Sequence, residues 1–323
     1  MKLRTRSQLP LAFLALLFAG CAAFGPKLAD YGVAGRAVEL STVPFYPQDD
    51  YESAPAAVAT LLAAQQLPVN SDELLRQIKP DDDNEPYREG VIGAVRAQGL
   101  MPYVMHSPHL DLDVIREVQA GHPVMVLQNH GFSFAPRWQF AVVIGVDPAN
   151  NSLILRAGRH PREIESFGAF LGSWGDGGHW AMVALKPEQL PATADVDNWI
   201  AAVAPFEQSG KADVAERAYA AATERWPDSA QAWESLANAR HAQNNFRGAS
   251  QALFTTLRLA PQNTVARNNL AYVLLERNCA EQAEDVIKQA MADETDPAKL
   301  AAFEQTRRKI LKHDGPSVVC PMQ

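Results

Sequence analysis

The chain has 323 residues, longer than one ordinary domain, and is 47% hydrophobic and 20% charged, the balance of a folded globular protein rather than a disordered one. A formal net charge of −8 with no basic cluster excludes a nucleic-acid binder, because affinity for phosphate backbones needs a basic field. Neither HExxH nor paired CxxC occurs and no glycine-rich loop follows a strand, so no metal and no cofactor is expected.

The first twenty residues, MKLRTRSQLPLAFLALLFAG, begin basic and pass into a short apolar run. That is the pattern of a secretory signal, too short to span a bilayer as a helix. Cys21 follows Phe18-Ala19-Gly20. These residues resemble the lipobox of bacterial lipoproteins, whose usual order is Leu, a small residue, Gly or Ala, then Cys; Phe18 departs from it. The resemblance implies cleavage before Cys21 and lipidation of its thiol, hence a chain anchored to a membrane without crossing it. Ala22, where an Asp implies retention at the inner membrane, points to the periplasmic face of the outer membrane. An ordinary signal peptide with an incidental cysteine is the alternative. Residues 21–35 read as a tether.

Residues 36–190 carry helix signals first. They fall at Ser53 to Gln66, Ser71 to Ile78 behind an Asn70-x-x-Glu73 capping box, Tyr87 to Gln98, and Asp113 to Ala120 before Gly121. Strand signals follow at Pro123 to Gln128, Trp138 to Asp147, Ser152 to Gly158 and His179 to Leu185, with DPANN as a hairpin turn. Helices first and an antiparallel sheet second is an α+β order. The acidic run Lys79 to Pro86 lacks the spacing of a calcium loop and reads as solvated. His106 and His109 flank a proline with no third ligand nearby and also read as loop residues.

From about residue 195 the chain turns alanine-rich and repeats itself. Trp199 and Trp233 are 34 apart, as are Pro227 and Pro261, and Ala215, Ala249 and Ala283 keep the same step. Leu236-Ala237 recurs as Leu270-Ala271. This period resembles the tetratricopeptide repeat, over residues 195–296, as about three units. The last is degenerate, with Arg267 in place of the tryptophan and Thr295 in place of the proline; residues 297–323 add a capping helix and tail. Such an array implies a groove for peptides or partner proteins. In an oxidising compartment Cys279 and Cys320 are a candidate disulfide, with two free thiols as the alternative.

One further constellation carries chemistry. Gln48 precedes Ser53-Ala54-Pro55, and RWQFAVVIGVD lies far downstream. This resembles, over about residues 44–185, the papain-like cysteine peptidases that process double-glycine leader peptides. In that family a Gln precedes Cys-Gly-Pro by the same spacing, the Cys opens a helix, and a His opens a strand. The resemblance implies a papain-like domain of N-terminal helices and antiparallel sheet, followed by an all-α repeat domain. It gives Gln48 the oxyanion role, since an amide there donates to developing negative charge. Ser53 stands at the nucleophile position, Gln139 at the base position, and Ala54, Pro55 and Trp138 line the cleft. The third member of the triad falls near Ala157, where no carboxylate stands.

A serine needs a base more than a thiol does, and the carboxamide of Gln139 accepts no proton at useful pH. Losing nucleophile or base costs orders of magnitude in rate. The expectation is a pseudopeptidase that binds extended peptides, with Ser53 acting as a helix N-cap. Two alternatives stand: an active peptidase using Ser53 with His130 as surrogate base, or a scaffold acting through its repeats alone.

Overall fold

The computed structural model describes residues 25–47, 53–78, 87–106 and 109–321. Cys21, Gln48 and the acidic run 79–86 therefore lie outside the described residues. The chain is α+β, with one antiparallel sheet and a long run of helices. It divides into two compact units, one drawn from Met1–Val91 and Ser107–Ala181, the other from Ile92–His106 and Met182–Gln323.

In the first unit, strands β3 (Val124–Asn129), β4 (Trp138–Asp147), β5 (Ser152–Ala157) and β6 (His160–Ser166) follow one another in space, each antiparallel to the last. The short β1 (Val38–Glu39) pairs with β4 beyond the end of β3. β3 is buried throughout and β4 from Phe140 to Val146, so both faces are covered and the strands read as continuous apolar runs. Helices α1 (Ser53–Ala64) and α4 (Leu110–Gln119) pack on β4, and α5 (Phe167–Asp176) packs on β3, β5 and β6.

α1 is buried from Ala54 to Leu62, which explains a sequence that is apolar all round instead of amphipathic. It ends where Gln66 turns left-handed and Leu67 N donates to Leu62 O. In α2 (Ser71–Gln77), Asn70 Oδ1 accepts from Glu73 N at 3.2 Å, while the Glu73 carboxylate turns outward to Gln77 Nε2, so the cap is one-sided. The turn at DPANN is held by Asp147, whose Oδ1 accepts from Ala149 N and Asn150 N.

The segment read as a tether is partly built into this unit. Leu28 and Val33 are buried, Tyr31 packs edge-on against Phe167 with ring centroids 5.3 Å apart, and Asn151 clasps the chain on both sides of Lys27. Its Oδ1 accepts from Leu28 N at 2.8 Å and its Nδ2 donates to Pro26 O at 3.1 Å. β6 and α5 carry no strong signal in the sequence. β6 is exposed at every residue but Glu165, and α5 is held by Phe167, Phe170 and Trp174, which are buried, with the Trp174 indole donating to Trp180 O at 2.8 Å.

The second unit contains the antiparallel pair β2 (Met101–Val104) and β7 (Ala181–Leu185), of which only Ala181 falls in the first, and α6 (Val196–Gln208) packs on β2. There follow α7 (Ala212–Arg225), α8 (Ala230–Ala242), α9 (Phe246–Leu259), α10 (Thr264–Glu276), α11 (Ala280–Asp293) and α12 (Pro297–Leu311), each packed on the next. Helix starts at 196, 230 and 264, and at 212, 246 and 280, recur with a step of 34 residues. The same step governs the helix ends. Asp195, Ser229 and Asn263 each accept from the backbone N–H three residues on, and Gly210, Asn244 and Asn278 each take the left-handed turn between paired helices.

The substituted tryptophan position is informative. Trp233 Nε1 donates to Pro227 O at 2.9 Å, and 34 residues on, the Arg267 guanidinium donates to Pro261 O while also pairing with Asp293. Arginine makes the tryptophan's hydrogen bond by other means. Beyond α10, Cys279 and Cys320 form a disulfide with Cα atoms 5.9 Å apart. The tail is further held by the Gln282 carboxamide, which donates to Cys320 O at 2.9 Å and accepts from Cys320 N at 2.6 Å, and by Val318 N donating to Asn278 O.

Candidate functional site

Ser53 is the first described residue of α1, and its hydroxyl oxygen accepts from the backbone N–H of Phe140, one residue past Gln139, at 3.2 Å. The bond crosses the fold and replaces the local cap expected of Ser53. The reason is in the adjacent sequence: two positions on stands Pro55, which has no N–H to offer, so a cap here has lost one of its two ordinary donors. Ala54 and Pro55 are buried behind Ser53, which is itself half-buried.

The start of β4 is fixed by its hairpin with β3. Gln128 stands opposite Gln139, and Asn129 opposite Trp138. Asn129 Oδ1 accepts from Gly131 N and Arg137 N, both at 2.8 Å, which closes the hairpin neck. Trp138 and Gln139 are both half-buried. The carboxamide nitrogen of Gln139 lies 3.5 Å from the point where a side chain at Gly158 would begin. Gly158 adjoins Ala157 at the end of β5, so these two positions themselves carry only small side chains, with the exposed His160 of β6 paired opposite Ala157. Asp147 sits at the opposite end of β4 and is engaged in its own turn.

The fold thus brings together Ser53, the Trp138-Gln139 entry to β4, and the Ala157-Gly158 corner. Chemically this set offers hydroxyl and amide groups, which donate and accept hydrogen bonds, and no group that takes a proton near neutrality. His130 is exposed just before the hairpin tip.

Beside the site lies a polar cluster that sequence reasoning missed. Gln128 is buried and its Nε2 donates to Glu165 Oε2 and Ser173 Oγ, each at 2.8 Å, while Ser173 Oγ donates to Glu165 Oε1 at 3.3 Å. Burial pushes the Glu165 carboxyl above its ordinary range, against the opposing pull of Gln128, His130 and Ser173. Its members come from three elements 37 and 45 positions apart, so no local pattern announces it. Among the described residues no group of three or more His, Cys, Asp or Glu is arranged to hold a metal ion.

No family model and no curated protein matches the chain. Among solved structures, one from Bacillus anthracis described as a C39-like peptidase is similar at 18% identity with a TM-score of 0.40, over 47% of this chain and 98% of its own.

Proposed function

We propose that this chain is a lipid-anchored, periplasm-facing binding protein whose first unit is a papain-like domain that has lost its catalytic groups and holds an extended peptide. The observation that carries the reading is the 3.2 Å bond from Phe140 N–H to Ser53 Oγ. It puts the start of α1 beside the start of β4, the juxtaposition a nucleophile and its base require, while the residues present are a serine and a glutamine. A serine without a base is a poor nucleophile, whereas the amide and hydroxyl groups suit the backbone of a bound peptide. The 34-residue recurrence of helix starts, caps and left-handed turns in the second unit supports reading it as tetratricopeptide repeats that recruit a partner protein. Cys21 is the proposed site of the anchor, and the outer membrane the proposed location.

Restoration tests the reading. Ser53→Cys combined with Gln139→His is expected to give measurable cleavage of a double-glycine peptide, with the wild type inert. Cleavage by the wild type that is lost in Ser53→Ala would overturn the degenerate reading in favour of a serine peptidase. A binding titration of the wild type with an extended Gly-Gly peptide should weaken in Trp138→Ala; unchanged affinity would remove the cleft from the ligand's path.

A further inference from the structure

If Cys21 carries the lipid, the structure says which end of the first unit it pulls toward the membrane; the inference rests on the anchor reading above. Pro26 and Leu28 are clasped by Asn151 in the β4–β5 turn, and Tyr31 is packed on Phe167. Only four residues lie between Cys21 and Pro26, five steps along the chain. Fully extended, those five steps reach roughly 18 Å, at about 3.5 Å per step. β4 then runs ten residues from that turn back to Trp138, a rise of roughly 30 Å at about 3.4 Å per residue. The Ser53 site and the hairpin tip beyond Trp138 lie at this far end. So do Phe132 and Phe134, 70% and 85% exposed and stacked with ring centroids 5.4 Å apart.

We infer that the end of the first unit formed by the β4–β5 turn and the Leu28–Tyr31 segment is its membrane-facing surface, and that the Ser53 site opens away from the bilayer. The occupant of the near surface is the bilayer that holds the lipid; the tether sets the contact, and no side chain need insert. The exposed phenylalanine pair, which viewed alone suits insertion into a lipid interface, is held on the side away from it. A ligand of the site then approaches from the aqueous space and is a soluble extended peptide, not a segment still embedded in the membrane.

The test uses the full chain made with its own signal and reconstituted into phosphatidylethanolamine/phosphatidylglycerol vesicles carrying a head-group nitroxide lipid. With Cys279 and Cys320 bonded, a single fluorophore can be placed at Ala149→Cys in the turn or at Ser133→Cys in the hairpin tip, both exposed positions. The label at 149 should be quenched several-fold more than the label at 133. Equal quenching, or stronger quenching at 133, overturns the orientation and leaves the anchor standing. Partition of the unlabelled chain into detergent, lost in Cys21→Ser, reports the anchor separately. A wild type that stays in the aqueous phase overturns both.

Discussion

The hydroxyl of Ser53 and the backbone N–H of Phe140 are joined at 3.2 Å across 87 positions of sequence. Removing the acceptor in Ser53→Ala should lower stability by about 1 kcal/mol, the usual net worth of such a bond. A lost helix cap costs a similar amount, so the magnitude alone does not separate the two roles. Amide exchange does. The Phe140 N–H should exchange faster in Ser53→Ala, and an unchanged rate there, with faster exchange at the start of α1, would reinstate the cap.

Arg267 stands in for a tryptophan by donating to Pro261 O and pairing with Asp293, and its side chain is only 16% exposed. Arg267→Leu should cost about 1–3 kcal/mol, the range for hydrogen bonds to charged groups. Arg267→Trp should cost clearly less, because Trp233 makes the equivalent bond to Pro227. Chemical denaturation of the two variants checks the order; a more damaging Trp would show that the two positions are not equivalent.

The disulfide closes a separation of 41 residues, for which the loop-entropy model gives about 4 kcal/mol. Reduction, or Cys320→Ser, should lower the unfolding free energy of the second unit, read from denaturant titrations, by an amount of that order and speed amide exchange at Val318 and Cys320. Retained protection of both amides after reduction would mean that Gln282 and Asn278 hold the tail unaided.

Glu294 provides a pH test. The Thr264 hydroxyl and then the backbone N–H groups of Asp296 and Thr295, with Lys299 adding charge, hold its carboxyl down at about 2, against an ordinary value of 4.5. Folding therefore weakens its hold on a proton. Its stabilising contribution is fully present above about pH 4.5 and is lost as pH falls through about 2. Melting curves between those limits should show wild type losing an advantage over Glu294→Gln as acid is added; parallel curves would remove Glu294 from the account.

Gly177 marks a contact that admits no side chain. A Cβ there would stand 2.0 Å from Leu127 O, and the glycine's own carbonyl accepts from Arg88 at 2.9 Å. Gly177→Ala should destabilise by about 2 kcal/mol or more, as overpacking against rigid backbone does. Gly172→Ala inside α5, the helix that Gly177 caps, with nothing near the added carbon, is the control and should be neutral or slightly stabilising.

What the sequence made legible follows from where each signal resides. α1 is largely apolar and buried from Ala54 to Leu62, and Val124–Leu127 of β3 and Phe140–Val146 of β4 are apolar and buried, so composition alone marks them. The helical pairs are legible because residues 34 apart solve the same packing problem. β6 was not, since nearly every residue of it is exposed and its pattern is one of charge. Nor was α5, where Gly168, Gly172 and Gly175 lower helix propensity and burial of Phe170 and Trp174 overrides it. At the site, the approach of α1 to β4 came from likeness of motif, while the partner of Ser53 and the Gln128–Glu165–Ser173 cluster are set by tertiary contacts no local rule contains.

The helical pairs have a consequence for how the second unit comes apart. Each helix leans chiefly on its neighbours in sequence, so loss of order spreads from an end, where α12 packs on α11 and, less, on α10. The cystine and the Gln282 clasp tie the tail beyond α12 to the start of α11, one helix in from that end. They act as a ferrule on a fraying cord. Melting that begins at α12 must pass this fastening before it can travel inward, which biases the array toward opening as a whole.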